Sequence, residues 1–180
     1  VGKGDLMRKI SFPRYVIILS GTVSAIINLG LNLIVVAILM VASGAEPNIY
    51  SLFAPLLLLE LIVFSLSIAL FLGAGYVKYR DIGYVWDVFI QAGFYATPIL
   101  YSFSLVIDKS TFLAKIMILN PLAQILQDVR YGLVTKETST ITSLYGNPFV
   151  RIVPLSIVLI MIVVSVSYFK KTAPYFAEDV

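Results

Sequence analysis

Hydrophobic positions dominate this chain and fall into four long runs, at residues 15–42, 50–76, 84–106 and 151–169. Each is near or above the roughly 20 apolar residues that a helix needs to cross a bilayer. The pattern therefore predicts an all-α integral membrane bundle of four spans. SGAEPN, Ser43–Asn48, carries Gly44 and Pro47 and reads as a turn between the first two runs. Ile107–Val150 is less regular. Thr111–Leu119 is amphipathic, Asn120–Pro121 breaks it, and Leu122–Val134 resumes helical spacing with Gln124, Gln127, Asp128 and Arg130. Neither half can span alone, and together they hold too many charges for a simple span. A re-entrant pair over 111–134 fits better, with its irregular backbone buried in protein or water. Thr135–Pro148 is a polar loop, and Pro154 lies near the start of the last run, where proline is tolerated.

Polar residues inside the runs are few and in phase. In the third run Tyr84, Asp87, Gln91, Tyr95, Pro98 and Ser102 fall on one side of a helix, while Val85, Phe89, Ile90, Ala92, Gly93, Ala96 and Leu100 cover most of the rest. A spanning helix with such a side faces something other than lipid there: a neighbouring helix or a substrate path. Pro98 removes one backbone bond and predicts a kink. In the first run Ser20, Ser24, Asn28 and Asn32 recur every four residues beside Gly21 and Ala25, a pattern suited to helix–helix packing. Glu60 sits well inside the second run. A carboxylate there is either neutral and bonded to a neighbouring helix or faces an aqueous cavity.

Composition sharpens the class. The chain has 180 residues, 59% hydrophobic and only 13% charged, against roughly 25% charged in a soluble domain. Mean hydropathy is +0.96. With no cysteine and no histidine, these residues offer no thiol chemistry, no Cys or His metal site and no histidine-based triad. The basic residues flank apolar runs instead of forming one face, so the net charge of +3 does not point to nucleic acid. Four spans place Lys3, Arg8, Lys9, Arg14, Lys78, Arg80, Lys170 and Lys171 on one side, and Lys109, Lys115, Arg130, Lys136 and Arg151 on the other. Eight against five predicts both termini and the Lys78–Asp81 loop in the cytoplasm, with Lys136–Asn147 outside. The sequence opens on Val1 in a charged, loop-like stretch, which suggests the later part of a longer polypeptide whose upstream helices complete the bundle.

Four landmarks occur in order on these spans: RKISFPR before the first, KYRDIGYVWDVFIQAGFYATPILY leading into the third, ILNPLAQILQDVRYGLV in the irregular region, and APYFAEDV at the end. Together they resemble the permease subunit of type-2 ABC exporters, in the branch that exports polysaccharides and polyol phosphates such as O-antigen and teichoic acid. The resemblance covers essentially the whole chain as a single transmembrane domain over residues 1–180. It implies a six-span domain of which the N-terminal interfacial helix and first two spans are missing here. It also implies roles. Leu6, Arg8, Lys9, Phe12, Pro13 and Arg14 match the cytoplasmic segment that meets the ATPase subunit. Arg80 and Asp81 match the charged pair at the inner end of the helix lining the transport path. Tyr84, Asp87, Gln91, Phe94, Tyr95, Pro98 and Tyr101 lie on that helix. Asn120, Pro121 and Arg130, within the re-entrant region, and Glu60 are candidates for gating or structural roles, and Phe176, Ala177 and Glu178 match a C-terminal signature.

The resemblance further implies a homodimer of permeases in the cytoplasmic membrane, and a cargo on a polyprenyl-diphosphate lipid. No cofactor is expected in this chain, with ATP and magnesium held by a separate ATPase. Independently, no G-x-x-x-x-G-K-[ST] occurs anywhere. Two other readings stay open. An ion-coupled carrier would have to use Glu60 and Asp87, and no inverted repeat is evident. A membrane-embedded glycan or lipid enzyme would need a general base and a second polar group in reach. Teichoic acid, O-antigen, capsule and galactan would suit the polar stripe equally.

Overall fold

In the computed structural model the described residues are 15–172, apart from 46 and 80. They are helical almost throughout, with no strand among them. The expected ATPase-facing residues Leu6, Arg8, Lys9, Phe12, Pro13 and Arg14, the loop residue Arg80, and Phe176–Glu178 lie outside the described residues.

Helix α1 is Tyr15–Ala42, whose 28 residues make a rod about 42 Å long. A 3₁₀ turn, Ile49–Phe53, leads into α2, Ala54–Lys78. Helix α3 is Ile82–Ala96, α4 is Phe103–Lys109, α5 is Thr111–Ile118, α6 is Pro121–Leu133 and α7 is Ile141–Tyr145. A second 3₁₀ turn, Pro148–Arg151, opens α8, Ile152–Thr172. Among the described residues three helices, α1, α2 and α8, are long and apolar enough to cross a membrane. A fourth crossing would be the bent pair α5–α6, which turns by 97° at its break. The protein is a multi-pass, all-α membrane bundle.

The core forms where α2 packs along α8. Ala54, Leu57, Ser67 and Ala74 of α2 are buried, as are Pro154, Val158, Ser165 and Phe169 of α8. Many of these are small, which lets two apolar helices approach closely where hydrophobicity alone gives them no preference over lipid. Ser67 returns its hydroxyl to the Val63 carbonyl at 2.7 Å, so it is satisfied within its own helix. The Phe71 and Tyr168 rings meet at 5.3 Å.

Helix α6 lies against this pair. Its N-terminus is fixed by Asn120, whose side chain accepts from Leu122 N at 3.1 Å, and by Pro121 in the first turn. Its C-terminus meets the turn before α2. Asn48 donates to the Tyr131 carbonyl at 2.6 Å, and Asn48 N donates to the Gly132 carbonyl at 3.0 Å. Gly132 permits that approach, because a Cβ there would lie 3.1 Å from Ser51 N and 3.2 Å from the Tyr50 carbonyl. A separate small core, Phe103, Ala114, Ile118 and Ile141, joins α4, α5 and α7.

One expectation changes. The run 84–106 is not one kinked helix but two short ones separated by a non-helical stretch, 97–102. Thr97 precedes proline and is extended, at φ −109° and ψ 131°, and Pro98 has no N–H to give back to the helix. At 15 residues α3 is about 22 Å long, short of the roughly 30 Å hydrocarbon core. Helix α1 adds a detail to its polar stripe. Its Ser24 and Asn32 side chains bond carbonyls of their own helix, Ser20 at 3.0 Å and Asn28 at 2.8 Å. Ser24, Asn28 and Asn32 are exposed in the single chain.

Candidate functional site

Helix α3 divides two environments. Trp86, Phe89, Ile90, Gly93 and Phe94 line an apolar cleft of about 590 Å³ shared with Leu33 of α1, Leu61 and Phe64 of α2, and Leu122 and Val129 of α6. Tyr84, Asp87, Gln91 and Tyr95 occupy the opposite side at helical spacing. All four are exposed, Tyr84 at 77% and Tyr95 at 72%. Asp87 and Gln91 have no hydrogen-bond partner among the described residues, and no residue of α3 is buried. The polar-aromatic side therefore faces away from the rest of its own chain.

The other path candidates are distributed differently. Phe94 belongs to the cleft side, with its ring edge-on to Tyr95 at 5.7 Å. Pro98 is fully buried at the turn instead of continuing the exposed face, because the helix has ended two residues earlier. Tyr101 folds back, donating its hydroxyl to the Tyr95 carbonyl at 2.7 Å. Asp81 occupies the N-cap position of α3 without a side-chain bond to it, and its carbonyl accepts from Tyr84 N at 3.1 Å.

A second polar group lies where α2, α6 and α8 meet. Arg151 donates to Asp128 Oδ2 at 2.8 Å, and Gln124 Nε2 donates to the same oxygen at 2.5 Å. Asp128 is 5% exposed at its side chain and Arg151 43%. Gln124 and Gln127 are buried. Glu60 of α2 lies in electrostatic range of both Asp128 and Arg151, not on the apolar cleft. Glu60 is half-buried and makes no hydrogen bond to a neighbouring helix among the described residues. Its Oε1, with Asp128 Oδ1 and Gln127 Nε2, is buried without a hydrogen-bond partner among the described residues.

Sequence reasoning placed Gln124, Gln127 and Asp128 on one short helix but missed the pair with Arg151. A usable signal was present: an acid inside an apolar segment and an arginine at the mouth of a span each need an opposite charge. For Arg130, a candidate for a gating or structural role, the structure supplies partners. Arg130 donates Nη1 to the Pro98 carbonyl at 2.7 Å and Nη2 to the Ile99 carbonyl at 2.8 Å, thirty-two and thirty-one residues away. These carbonyls belong to the turn that ends α3. Among the described residues no group of three or more acidic side chains could hold a metal ion.

No model of a known protein family matches the chain. Over 122 residues, 68% of this chain and 46% of the other, it is 30% identical to the O-antigen export system permease protein RfbA of Myxococcus xanthus. The chain is a relative of an O-antigen export permease. The matched region spans less than half the length of that relative. The likeness falls in the export branch that the ordered motifs resemble, and the three long apolar helices suit a membrane permease.

Proposed function

We propose that this protein is the transmembrane permease subunit of an ATP-driven ABC exporter that carries a lipid-linked polysaccharide or polyol phosphate across the cytoplasmic membrane. The observation that carries the reading is the exposed Tyr84–Asp87–Gln91–Tyr95 side of α3, a polar-aromatic face turned away from the rest of the chain. Tyrosine rings offer flat apolar area with a hydroxyl handle, which suits the faces of sugar rings. Asp87 and Gln91 add hydrogen-bond capacity. The likeness to an O-antigen export permease supports the cargo class.

In this reading two copies of the permease bring their α3 faces together around the path. Energy comes from separate ATPase subunits, which hold the ATP and magnesium and meet Leu6–Arg14 on the cytoplasmic side. The lipid anchor is a polyprenyl diphosphate, and both termini of the chain are cytoplasmic. The permease itself makes and breaks no covalent bond.

The test uses the full-length protein in its own cell. Depletion should cause lipid-linked glycan to accumulate on the cytoplasmic side, and the protein should co-purify with an ATPase. Phe12→Ala and Arg14→Glu should weaken that association without lowering membrane insertion. Export that persists without ATP and collapses with the proton gradient would overturn the reading in favour of an ion-coupled carrier.

A further inference from the structure

Helix α3 is fastened mainly at its ends. At its start Ile82 seats on Gly75 of α2, its Cδ1 only 2.7 Å from where a Cβ on Gly75 would stand. Along its length the cleft side of α3 stands over about 590 Å³ of apolar space. At its other end the helix stops at Ala96, and its last carbonyls need donors from elsewhere. Thr97 N serves Gly93, and the Tyr101 hydroxyl serves Tyr95. Just beyond the helix, in the turn that follows it, the Pro98 and Ile99 carbonyls both fall to Arg130 of α6.

Arg130 suits that task in three ways. Its planar fork holds two donors in a fixed geometry that two neighbouring carbonyls can meet, whereas an ammonium's three donors have no such fixed fork. Its charge lies at the C-terminal, negative end of the α3 dipole. It makes no ion pair with a carboxylate among the described residues, so its charge is directed to those two carbonyls. Helix α6 is itself joined to α8 by Asp128–Arg151 and to the turn before α2 by Asn48, so Arg130 ties a lightly packed helix to a well-anchored one.

We propose that Arg130 is a positioning residue, a latch that sets where the C-terminal end of α3 sits and so the placing of the Tyr84–Tyr95 face. As a statement about transport this rests on the permease reading. As a statement about α3 it does not. When the two bonds are lost, α3 pivots about its Gly75–Ile82 seat and its C-terminal end moves relative to the cleft.

The chain has no native cysteine, so spin labels can be placed by single substitutions. One pair joins exposed Ala92 of α3 to exposed Leu59 of α2, and a second joins Leu59 to exposed Ile160 of α8. Distances are read in the full-length protein in lipid nanodiscs, with one labelled copy per particle. With Arg130 present both pairs should give narrow distributions. Arg130→Gln should spread the Ala92–Leu59 distance by about 5 Å, one helical turn, and leave Leu59–Ile160 unchanged. Arg130→Lys should keep part of the order, because it retains a charged donor but not the rigid fork. An Ala92–Leu59 distribution unchanged by Arg130→Gln would overturn the latch. So would equal broadening of both pairs, which would make Arg130 a residue of the whole fold. If Arg130→Gln frees α3 while export per folded molecule stays at the wild-type level, the latch stands and α3 is not the path helix.

Discussion

Helices α3 and α6 are neighbours of similar length, yet they are held in opposite ways. Helix α6 has seven buried residues, among them two glutamines and an aspartate, and is bonded outward by Asp128, Arg130, Tyr131 and Gly132. Helix α3 has none buried and turns Asp87 and Gln91 away from its own chain without partners. In lipid, a polar group without a partner is costly. Asp128, Arg130 and the Tyr131 and Gly132 carbonyls of α6 have partners inside the chain, although Gln127 Nε2 and Asp128 Oδ1 do not, whereas Asp87 and Gln91 of α3 have none among the described residues.

The largest effect is expected at the ion pair. Arg151→Leu strands Asp128, which is 5% exposed, and should cost about 3 kcal/mol or more of stability. Asp128→Leu leaves an Arg151 side chain that is 43% exposed, and so should cost less. The double variant should recover part of the loss from Arg151→Leu. Thermal unfolding of the purified protein in one detergent ranks the three, and equal losses in both single variants would show that burial does not govern this site.

Two glycines offer a direct contrast. Gly132→Ala in α6 drives a Cβ to within 3.1 Å of backbone on the turn before α2, and should cost about 1–3 kcal/mol. Gly93→Ala in α3 meets nothing within 4 Å and should be neutral, or stabilising by up to about 1 kcal/mol through helix propensity. A loss in Gly93→Ala equal to that in Gly132→Ala would mean that α3 is packed as tightly as α6. Smaller still is the cap at Asn120, where alanine should remove about 1 kcal/mol. The same unfolding assay checks it, and an unchanged midpoint would count against the cap.

Much of this contrast is legible in sequence, and the rest is not for a definite reason. Apolar runs mark α1, α2 and α8 because length and hydropathy are local properties. Asn120–Pro121 marks the break between α5 and α6 because a cap and a first-turn proline are local too. Gln91 and Asp87 announce a polar side of α3 by spacing alone. What spacing cannot say is which partner a side chain meets. Arg130 reaching the Pro98 and Ile99 carbonyls and Arg151 reaching Asp128 depend on how helices far apart in sequence pack. The length of α3 is intermediate: Pro98 signals a disturbance, but whether a helix bends or stops there depends on donors such as Tyr101, which serves the last turn, and Arg130, which holds the turn beyond it.

The claim that α3 turns its polar face to a path is open to substitutions that separate passage from stability. Tyr95→Ala should lower export per folded molecule more than Tyr95→Phe, since ring area is lost instead of one hydroxyl. Asp87→Asn should be milder than Asp87→Leu, which puts an apolar patch on the polar face. Losses of export that merely track protein abundance would assign the face to packing.

The most direct measurement is thiol accessibility along α3 in the assembled exporter. Single cysteines at Tyr84, Asp87, Gln91 and Tyr95 should react with a small, charged, water-soluble thiol reagent, while cysteines at Phe89, Ala92 and Ala96 should not. Protection of all four stripe positions, with the protein folded and exporting, would show the face sealed against a partner helix and would contradict the account.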